Sequence, residues 1–442
     1  MAMEYKRPSF LVISLLFIAG SCSNRTLCLS PTNNSELSSA KYDVLTTKQN
    51  TSLNAAAIVK SCVDTDLLIV DANFPGGNII VDNIEGDTVF LRPDQRDSLK
   101  WWFYWYFRVR GAAGRTVKFQ FTDKNPIGTQ GPAFSTDGGH RWMWLGPQSA
   151  QDSSFTYVFD RQSREVRFCF SIPYLEADLY QFLGKYSDNL YLTVRELCRT
   201  RKGRSVERLH AGKINEEPKY RVLLTARHHA CEMIASYALE GFLESILSNT
   251  PVGHWFQNNV EVLAVPFMDK DGVEDGDQGK HRRPHDHNQD YISDSIYPSV
   301  RAMKQFVPQW SEMKLKVVLD LHCPYIRGKY NELIYLVGSS DPAIWRQQQE
   351  FAAILESVRE GPLPYSAKSS LAFGSGWNTD ANYGKYKSYS RWGGEQPGAC
   401  LATTIEIPYA NAGTSIVTTD NARAFGRDLA IALRRYLENS AE

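Results

Sequence analysis

Two short polar motifs follow apolar segments of the sequence, at positions where strands would end. His229 and Glu232, three residues apart, come directly after the largely apolar residues 221–226. A second largely apolar segment, residues 316–321, is followed by His322. In open α/β sheets such strand ends gather at one edge, where ligands bind. Two imidazoles and one carboxylate form a ligand set for zinc that leaves a fourth position for water, so the pattern indicates a catalytic metal site.

An acidic residue inside a third apolar segment strengthens this interpretation. The spacing of His229 and Glu232 alone is short enough to arise by chance. With His322 at a second strand end, a metal site and ordinary polar residues become equally good interpretations. Glu406 is the one charged residue in residues 403–407. Burying a carboxylate in a strand is costly unless it works with a metal or a cation. With this fourth element the pattern favours catalysis.

The elements that must position these residues fall into two regions. Residues 66–173 contain short β-rich runs separated by Gly, Asp and Pro, including the aromatic run 101–109, and predict a small β-sandwich domain. We interpret the aromatic run as core rather than as a stacking platform for a ligand. In residues 174–442, strand-like runs alternate with amphipathic segments, which predicts an α/β catalytic domain with a mixed central sheet flanked by helices. The predicted helices lie near residues 233–247, 341–359 and 420–437.

The first 65 residues predict a targeting signal and a linker. In residues 1–22 a basic start is followed by a short apolar run and small residues, which is typical of an export signal. The apolar run is shorter than the roughly 20 residues that span a membrane. The sequence ending at Cys22 also resembles a bacterial lipobox, so plain secretion and a lipid anchor stay open alternatives. Residues 23–65, rich in Ser, Thr and Asn, predict a linker. We therefore expect an exported, periplasmic or extracellular protein.

The composition is that of a globular protein without excess charge. Lys and Arg together number 49, as do Asp and Glu, so the formal net charge of the 442 residues is zero. This balance argues against a protein built to bind nucleic acid, which needs a clustered basic excess. Contact with a membrane is expected only through a lipid on Cys22. The eight cysteines show no Cys-x-x-Cys spacing, so a structural zinc knuckle is not predicted.

Taken together, these motifs resemble the zinc carboxypeptidases of the M14 family, in particular its cytosolic-carboxypeptidase-like branch. Four motifs carry the resemblance: His229 to Glu232, the turn at residues 269–273, Asp320-Leu-His322, and residues 403–408. The β-rich region also resembles the small sandwich domain that precedes catalysis in this branch. The resemblance covers about residues 66–440.

The resemblance implies a hydrolase with one zinc ion per chain that removes C-terminal amino acids from peptides or proteins. It implies that His229, Glu232 and His322 bind the zinc. Glu406 would take a proton from the attacking water and pass it to the leaving amine. Two other functions stay open, namely a peptidoglycan stem-peptide hydrolase and a zinc-binding protein without turnover.

The sequence departs from the family where the substrate's terminal carboxylate is held. The family uses an Asn-Arg pair, whereas here Asn288 is followed by Gln289. A glutamine amide cannot form the bidentate charged pair that suits a carboxylate. Lys280, Arg282 and Arg283, a few residues upstream, are the candidates for the missing charge, and the sequence does not distinguish among them.

Three more residues are candidate substrate contacts by analogy with the family. Tyr383 or Tyr386, in a Gly-containing stretch, would be the mobile tyrosine that caps the site. Arg391 stands near the family's specificity residue and would favour an acidic side chain on the substrate. Three histidines upstream are interpreted as polar loop residues: His281, His285 and His287.

Overall fold

The computed structural model describes residues 57–58, 67–98, 100–151 and 153–440. The predicted export signal, Cys22 and nearly all of the predicted linker lie outside these residues. Within the described ranges, no helix is both long enough and apolar enough to cross a membrane.

The N-terminal strands form two sheets that pack face to face. Numbered along the chain, one sheet has the order β1 (Ala57–Ile58), β2 (Ile69–Asp71), β5 (Tyr106–Arg110), β11 (Glu165–Cys169), β7 (Ala133–Ser135), β8 (Met143–Trp144). The other has the order β3 (Ile80–Glu85), β4 (Thr88–Arg92), β6 (Thr116–Phe121), β10 (Ser154–Val158), β9 (Ala150–Gln151). Aromatic rings join the sheets: the ring centres of Phe107 and Phe119 are 5.4 Å apart, and those of Phe155 and Phe168 are 5.3 Å apart. The predicted β-sandwich is therefore present.

The aromatic run is core, as predicted, but only its second half is a strand. Residues 102–107 are buried, whereas Trp101 is partly exposed. The predicted strand at residues 101–109 begins only at Tyr106, the first residue of β5. Before that point the backbone leaves the sheet, because the amide N–H groups of Phe103 and Tyr104 donate to the side-chain oxygen of Gln278, at 2.6 and 3.2 Å. This partner is distant in sequence, so strand patterning could not reveal it.

The second region is built on a mixed seven-stranded sheet, as predicted. Its order is β12 (Leu192–Arg199), β13 (Ser205–Gly212), β15 (Val260–Val265), β14 (Tyr220–Ala226), β16 (Leu315–His322), β18 (Leu401–Glu406), β17 (Tyr335–Val337). The four strands β14, β15, β16 and β18 are parallel, and the outer ones are antiparallel to their neighbours. A small hairpin follows, formed by β19 (Asn411–Ala412) and β20 (Ser415–Ile416).

Helices flank this sheet, and the three that the sequence predicts are α2, α6 and α9. The helices are α1 (Glu176–Gly184), α2 (Met233–Leu247), α3 (Pro251–Asn259), α4 (Lys270–Asp275), α5 (Pro298–Ser311), α6 (Pro342–Val358), α7 (Asp380–Tyr383), α8 (Tyr389–Gly394) and α9 (Thr419–Asn439). Short 3-10 helices lie at Pro147–Ser149, His287–Gln289 and Ala367–Ser369. Gly241 and Gly426 let α2 and α9 approach closely, since a Cβ on either would lie 1.9 Å from a backbone oxygen of the other helix.

Strand register gathers the chemically active residues on one face of the sheet. His322, the last residue of β16, pairs directly with Glu406, the last residue of β18. Two residues earlier, Asp320 pairs with Thr404. Because alternate residues of a strand face the same side, these four side chains project together. The parallel strand β14 ends at the same edge and leads into His229.

Candidate active site

The two histidines of the predicted metal site converge on one carboxylate. The Nδ1 atom of His229 lies 2.9 Å from Glu232 Oε1, and the Nδ1 atom of His322 lies 2.9 Å from Glu232 Oε2. One ligand atom from each of the three residues falls within 4.8 Å of the other two. The strand ends therefore bring together the three residues that the motifs indicate.

Arg227 fixes the turn that carries His229 and Glu232. Its backbone is left-handed, with φ of 61°, at the point where β14 gives way to the turn before α2. Its buried guanidinium donates hydrogen bonds to the carbonyl oxygens of Ala230 and Tyr174, at 3.0 and 2.9 Å. A buried charge is tolerated only with such partners, so these contacts hold the turn in one conformation.

The donor atoms of this group fit a zinc ion. Glu232 Oε2 is buried and makes no hydrogen bond, although it lies 2.9 Å from His322 Nδ1. The other ring nitrogen of His322, Nε2, is held by Asp320 Oδ2 at 2.5 Å. A histidine that turns one nitrogen to a shared centre and the other to a carboxylate is typical of zinc ligands. Two nitrogens and one carboxylate leave the open position of a catalytic site.

Asp320 is a supporting residue that the motif does not reveal by itself. Its Oδ1 atom accepts a hydrogen bond from Thr225 at 2.7 Å and lies 2.9 Å from His228 Nδ1. Burial by itself raises the pKa of Asp320, but His228 and His322 lower it well below its ordinary value. The signal in the sequence is the spacing, because Asp320 and His322 are two residues apart in a strand and face the same side.

Of the three basic candidates, Lys280 lies in the site. Its Nζ atom donates to Glu232 Oε1 and, at 2.7 Å, to the carbonyl oxygen of Cys323. Burial by itself lowers the pKa of Lys280, but the Glu232 carboxylate raises it above its ordinary value. Lys280 therefore stays protonated and puts a positive charge beside the candidate metal ligands.

The other two basic candidates face a neighbouring cavity. The guanidinium of Arg282 is surrounded by the carboxylates of Asp97, Asp269 and Asp277, at 2.5, 2.5 and 2.6 Å. Arg283 is exposed and lines the same neighbouring cavity. An arginine bound by three carboxylates is not available to hold an anion. Arg283 does not line the cavity that contains His229 and His322, so neither residue supplies the missing charge.

A cavity of about 300 Å³ opens beside the candidate metal ligands. Lys280 and Glu406 line it together with His229 and His322. Much of the remaining wall is neutral, polar or aromatic, and includes Asn288, Gln289, Tyr383, Ser388, Ser390 and Thr404. Sequence motifs give no signal for the two serines, whereas Thr404 could be found from its place two residues before Glu406.

Glu406 lines this cavity and has an unpaired carboxylate oxygen. The side chain is 6% exposed, and its Oε2 atom has no hydrogen-bond partner. Burial raises the pKa of Glu406, while the charges of Lys280 and His322 act in the opposite direction. An unpaired carboxylate oxygen next to a metal site is placed to accept a proton.

Two further predicted substrate contacts, Tyr386 and Arg391, lie outside the cavity. Tyr386 donates a hydrogen bond from its hydroxyl to the carbonyl oxygen of Pro284, at 3.1 Å. The guanidinium of Arg391 lies 4.3 Å from the ring centre of Tyr383 and 3.3 Å from the carboxylate of Asp380. The cation–π contact and the ion pair hold Arg391 against these neighbours. Of the two candidate tyrosines, Tyr383 is the one that lines the cavity.

Hydrogen bonds join the β-sandwich to the loop that carries Lys280. The side chain of Gln278 accepts two backbone hydrogen bonds from the aromatic run and donates one to the carbonyl oxygen of Trp101, at 3.1 Å. Asn78 donates to the carbonyl oxygen of Gly276 at 2.8 Å. Trp101 also stacks on Tyr325, a residue of the cavity wall, with ring centres 6.1 Å apart. The sandwich thus helps to shape the site.

His287 is buried away from this cavity and makes stability depend on pH. Its ring stacks on Tyr297 with centres 3.6 Å apart, and its Nε2 atom lies 3.7 Å from Asp269 Oδ1. Burial lowers the pKa of His287 to about 3, although Asp269 acts in the opposite direction and Arg282 adds to the lowering. In the unfolded chain a histidine pKa is about 6.5. The stability from neutral His287 is therefore complete above pH 6.5 and is lost as the pH falls towards 3.

We expect the variant His287→Phe to lose less stability in acid than the wild type. Phenylalanine keeps a ring against Tyr297 but cannot titrate. Between pH 7.5 and pH 5, the wild type should lose about 2 kcal/mol more of its free energy of unfolding than the variant. Denaturant titrations at both pH values measure this difference. Equal losses in the two proteins would contradict the prediction.

Comparison with known proteins finds the same family that the sequence motifs resemble. A family model described as zinc carboxypeptidase, peptidase M14, matches residues 176–313. Cytosolic carboxypeptidase 3 of Bos taurus is 26% identical over 337 residues, which cover 67% of this chain and 33% of that protein. Cytosolic carboxypeptidase 6 of Caenorhabditis elegans is 23% identical over 288 residues, covering 58% of this chain and 62% of that protein. The match thus spans less than two thirds of the length of these relatives.

Solved metallo-carboxypeptidases share the fold. The enzyme of Burkholderia cenocepacia superposes with a TM-score of 0.71 and 20% identity, over 84% of this chain and 100% of that one. The enzyme of Pseudomonas aeruginosa, solved in complex with (2-guanidinoethylmercapto)succinic acid, gives a TM-score of 0.67 and 19% identity, over 84% and 99%. Residues 176–313 thus match the zinc carboxypeptidase model of peptidase family M14, and the chain shares its fold with solved metallo-carboxypeptidases.

Proposed function

We propose that the chain is a zinc-dependent carboxypeptidase that hydrolyses the last peptide bond of peptides or proteins. The observation that carries the proposal is the unpaired Oε2 atom of Glu406, a residue that lines the same cavity as His229 and His322. A protein that only bound zinc would have no use for a buried, unpaired carboxylate there. Among the described residues, no contact favours a cell-wall substrate over other peptides.

The chain's own residues have separate tasks in this reaction. His229, Glu232 and His322 would hold one zinc ion. When bound, zinc lowers the pKa of a water molecule and polarises the scissile carbonyl. Glu406 accepts a proton from the attacking water and delivers it to the leaving nitrogen. The charge of Lys280 stabilises negative charge that develops on the carbonyl oxygen.

Side-chain preference and cellular location depend on Arg391 and on residues 1–22, respectively. Arg391 is held against Tyr383 and does not line the cavity, so we do not extend the proposal to acidic side chains. Export is proposed from the sequence of residues 1–22. Mass spectrometry of the mature N-terminus distinguishes plain cleavage from a lipid on Cys22.

Metal content and release of terminal residues test the proposed function together. We expect one zinc per chain and removal of the last residue from a library of peptides with free and with amidated C-termini, with loss of release in a chelator and recovery on addition of zinc. Elemental analysis and mass spectrometry of the products provide the readouts. Release that survives full removal of the metal, or a zinc-loaded protein that releases nothing, would contradict the proposal.

A further inference from the structure

One end of the cavity carries amide groups where the family's charged pair would be. The short helix His287–Gln289 places Asn288 and Gln289 in the cavity wall. Asn288 Oδ1 accepts a hydrogen bond from the backbone of Tyr389 at 3.1 Å, which leaves its NH₂ group to face a ligand. Within the described part of the chain, the side-chain amide of Gln289 has no protein partner. This end therefore offers neutral donors and one neutral acceptor.

Among the described residues, the one lysine of the cavity wall contacts a candidate metal ligand, and no contact joins it to Asn288 or Gln289. Lys280 is the one lysine or arginine among the described residues that line the cavity, and its Nζ atom contacts Glu232 and the backbone of Cys323. Carboxylates of Asp286 and Glu406 also line the cavity. A free terminal carboxylate would therefore enter a wall with acidic groups and no unpaired guanidinium. Burying such a charge unpaired is costly.

A neutral terminal group fits this wall better than a carboxylate does. A carboxylate only accepts hydrogen bonds, whereas a carboxamide both donates and accepts, as the Gln289 amide does. Hydroxyl groups of Ser388, Ser390 and Thr404 line the same cavity and add neutral partners. The hydrogen-bond donors and acceptors of a neutral terminal group could therefore be paired without burying a charge.

We propose that Gln289 makes the site selective for peptides whose last residue ends in an uncharged, hydrogen-bonding group, in particular a carboxamide. This inference rests on the proposed carboxypeptidase function. In the reaction, water cleaves the last peptide bond: its oxygen joins the acyl carbon, the C–N bond breaks, and the leaving nitrogen gains a proton. The products are a shortened peptide acid and a free amino acid amide.

Binding to an inactive protein tests the selectivity without turnover. The zinc-loaded variant Glu406→Gln is titrated with two peptides that differ only in ending in a carboxylate or a carboxamide. We expect about tenfold or greater tighter binding of the carboxamide. The variant removes one negative charge from the wall, so the comparison is biased against this result. Adding Gln289→Arg should reverse the preference, and adding Gln289→Met, of similar size, should abolish it.

The outcomes separate this inference from the proposed function. Tighter binding of the free acid, equal binding of both peptides, or binding of neither overturns the carboxamide selectivity. If the wild type also releases residues from free acids in preference to amides, the carboxypeptidase function stands while the selectivity fails. If carboxamide binding is tighter but the wild type releases nothing, the selectivity stands and the hydrolytic function fails. Zinc content and thermal unfolding show that each variant is folded.

Discussion

The variant Glu406→Gln is expected to lose catalysis while keeping its zinc. Glutamine has nearly the same shape, but its amide cannot accept a proton from water. Loss of a positioned general base costs about 10²–10⁴-fold in rate. Glu406 is not one of the three candidate ligands, and its Oε2 atom makes no hydrogen bond, so the substitution breaks no contact at that atom. The value of kcat should therefore fall at least a hundredfold.

A matched control makes this prediction specific. Glu395 is a surface residue, 55% exposed, that pairs with Lys387. The change Glu395→Gln is chemically the same as Glu406→Gln but should leave kcat unchanged. Steady-state release of amino acids, with zinc content measured on the same samples, gives the result. A Glu406→Gln protein within tenfold of wild-type kcat would remove Glu406 from the proton transfer.

The second large effect is a loss of zinc affinity on substitution of Asp320 or His322 in β16, and we expect the two losses to differ in size. His322→Ala removes a candidate ligand, whereas Asp320→Asn keeps all three candidate ligands and weakens the contacts of Asp320 with His322 and His228. Loss of such an outer partner typically costs about 10–100-fold in metal affinity or activity. We expect Asp320→Asn to fall in this range and His322→Ala to exceed it.

Competition with a chromogenic chelator measures these affinities. His140 is an exposed histidine on a loop of the sandwich, so His140→Ala serves as the control and should bind zinc as the wild type does. An equal loss in the two site variants, or a larger loss for Asp320→Asn, would contradict the assignment of His322 as a ligand.

The sequence was sufficient for those parts of the fold and site that depend on local pattern. The helix predicted at residues 233–247 is α2, with the same bounds. The apolar pattern that predicts it lies within neighbouring residues of the sequence. His229, Glu232 and His322 lie at strand ends, and parallel strands must end at a common edge. Local pattern and the topology of the sheet therefore bring them together.

The features that could not be predicted depend on partners distant in sequence. Lys280 and Arg282 are two residues apart and both are cationic. Only the structure shows that Arg282 is bound by three carboxylates, whereas Lys280 lines the cavity. Arg391 lies near the expected position in the chain, but its stacking on Tyr383 holds it out of the cavity. No periodicity in the sequence records such pairings.

The direct pairing of His322 with Glu406 also determines where this protein can tolerate changes in length. The two residues are neighbours across β16 and β18, so their separation does not depend on the long connection between those strands. Insertions in that connection can remodel the cavity wall while leaving ligand and base in place. A single residue inserted within β18 would instead turn the side chain at its end to the opposite face of the sheet. Evolution or engineering can therefore reshape the cavity wall by lengthening loops, while the two strands must keep their residue count.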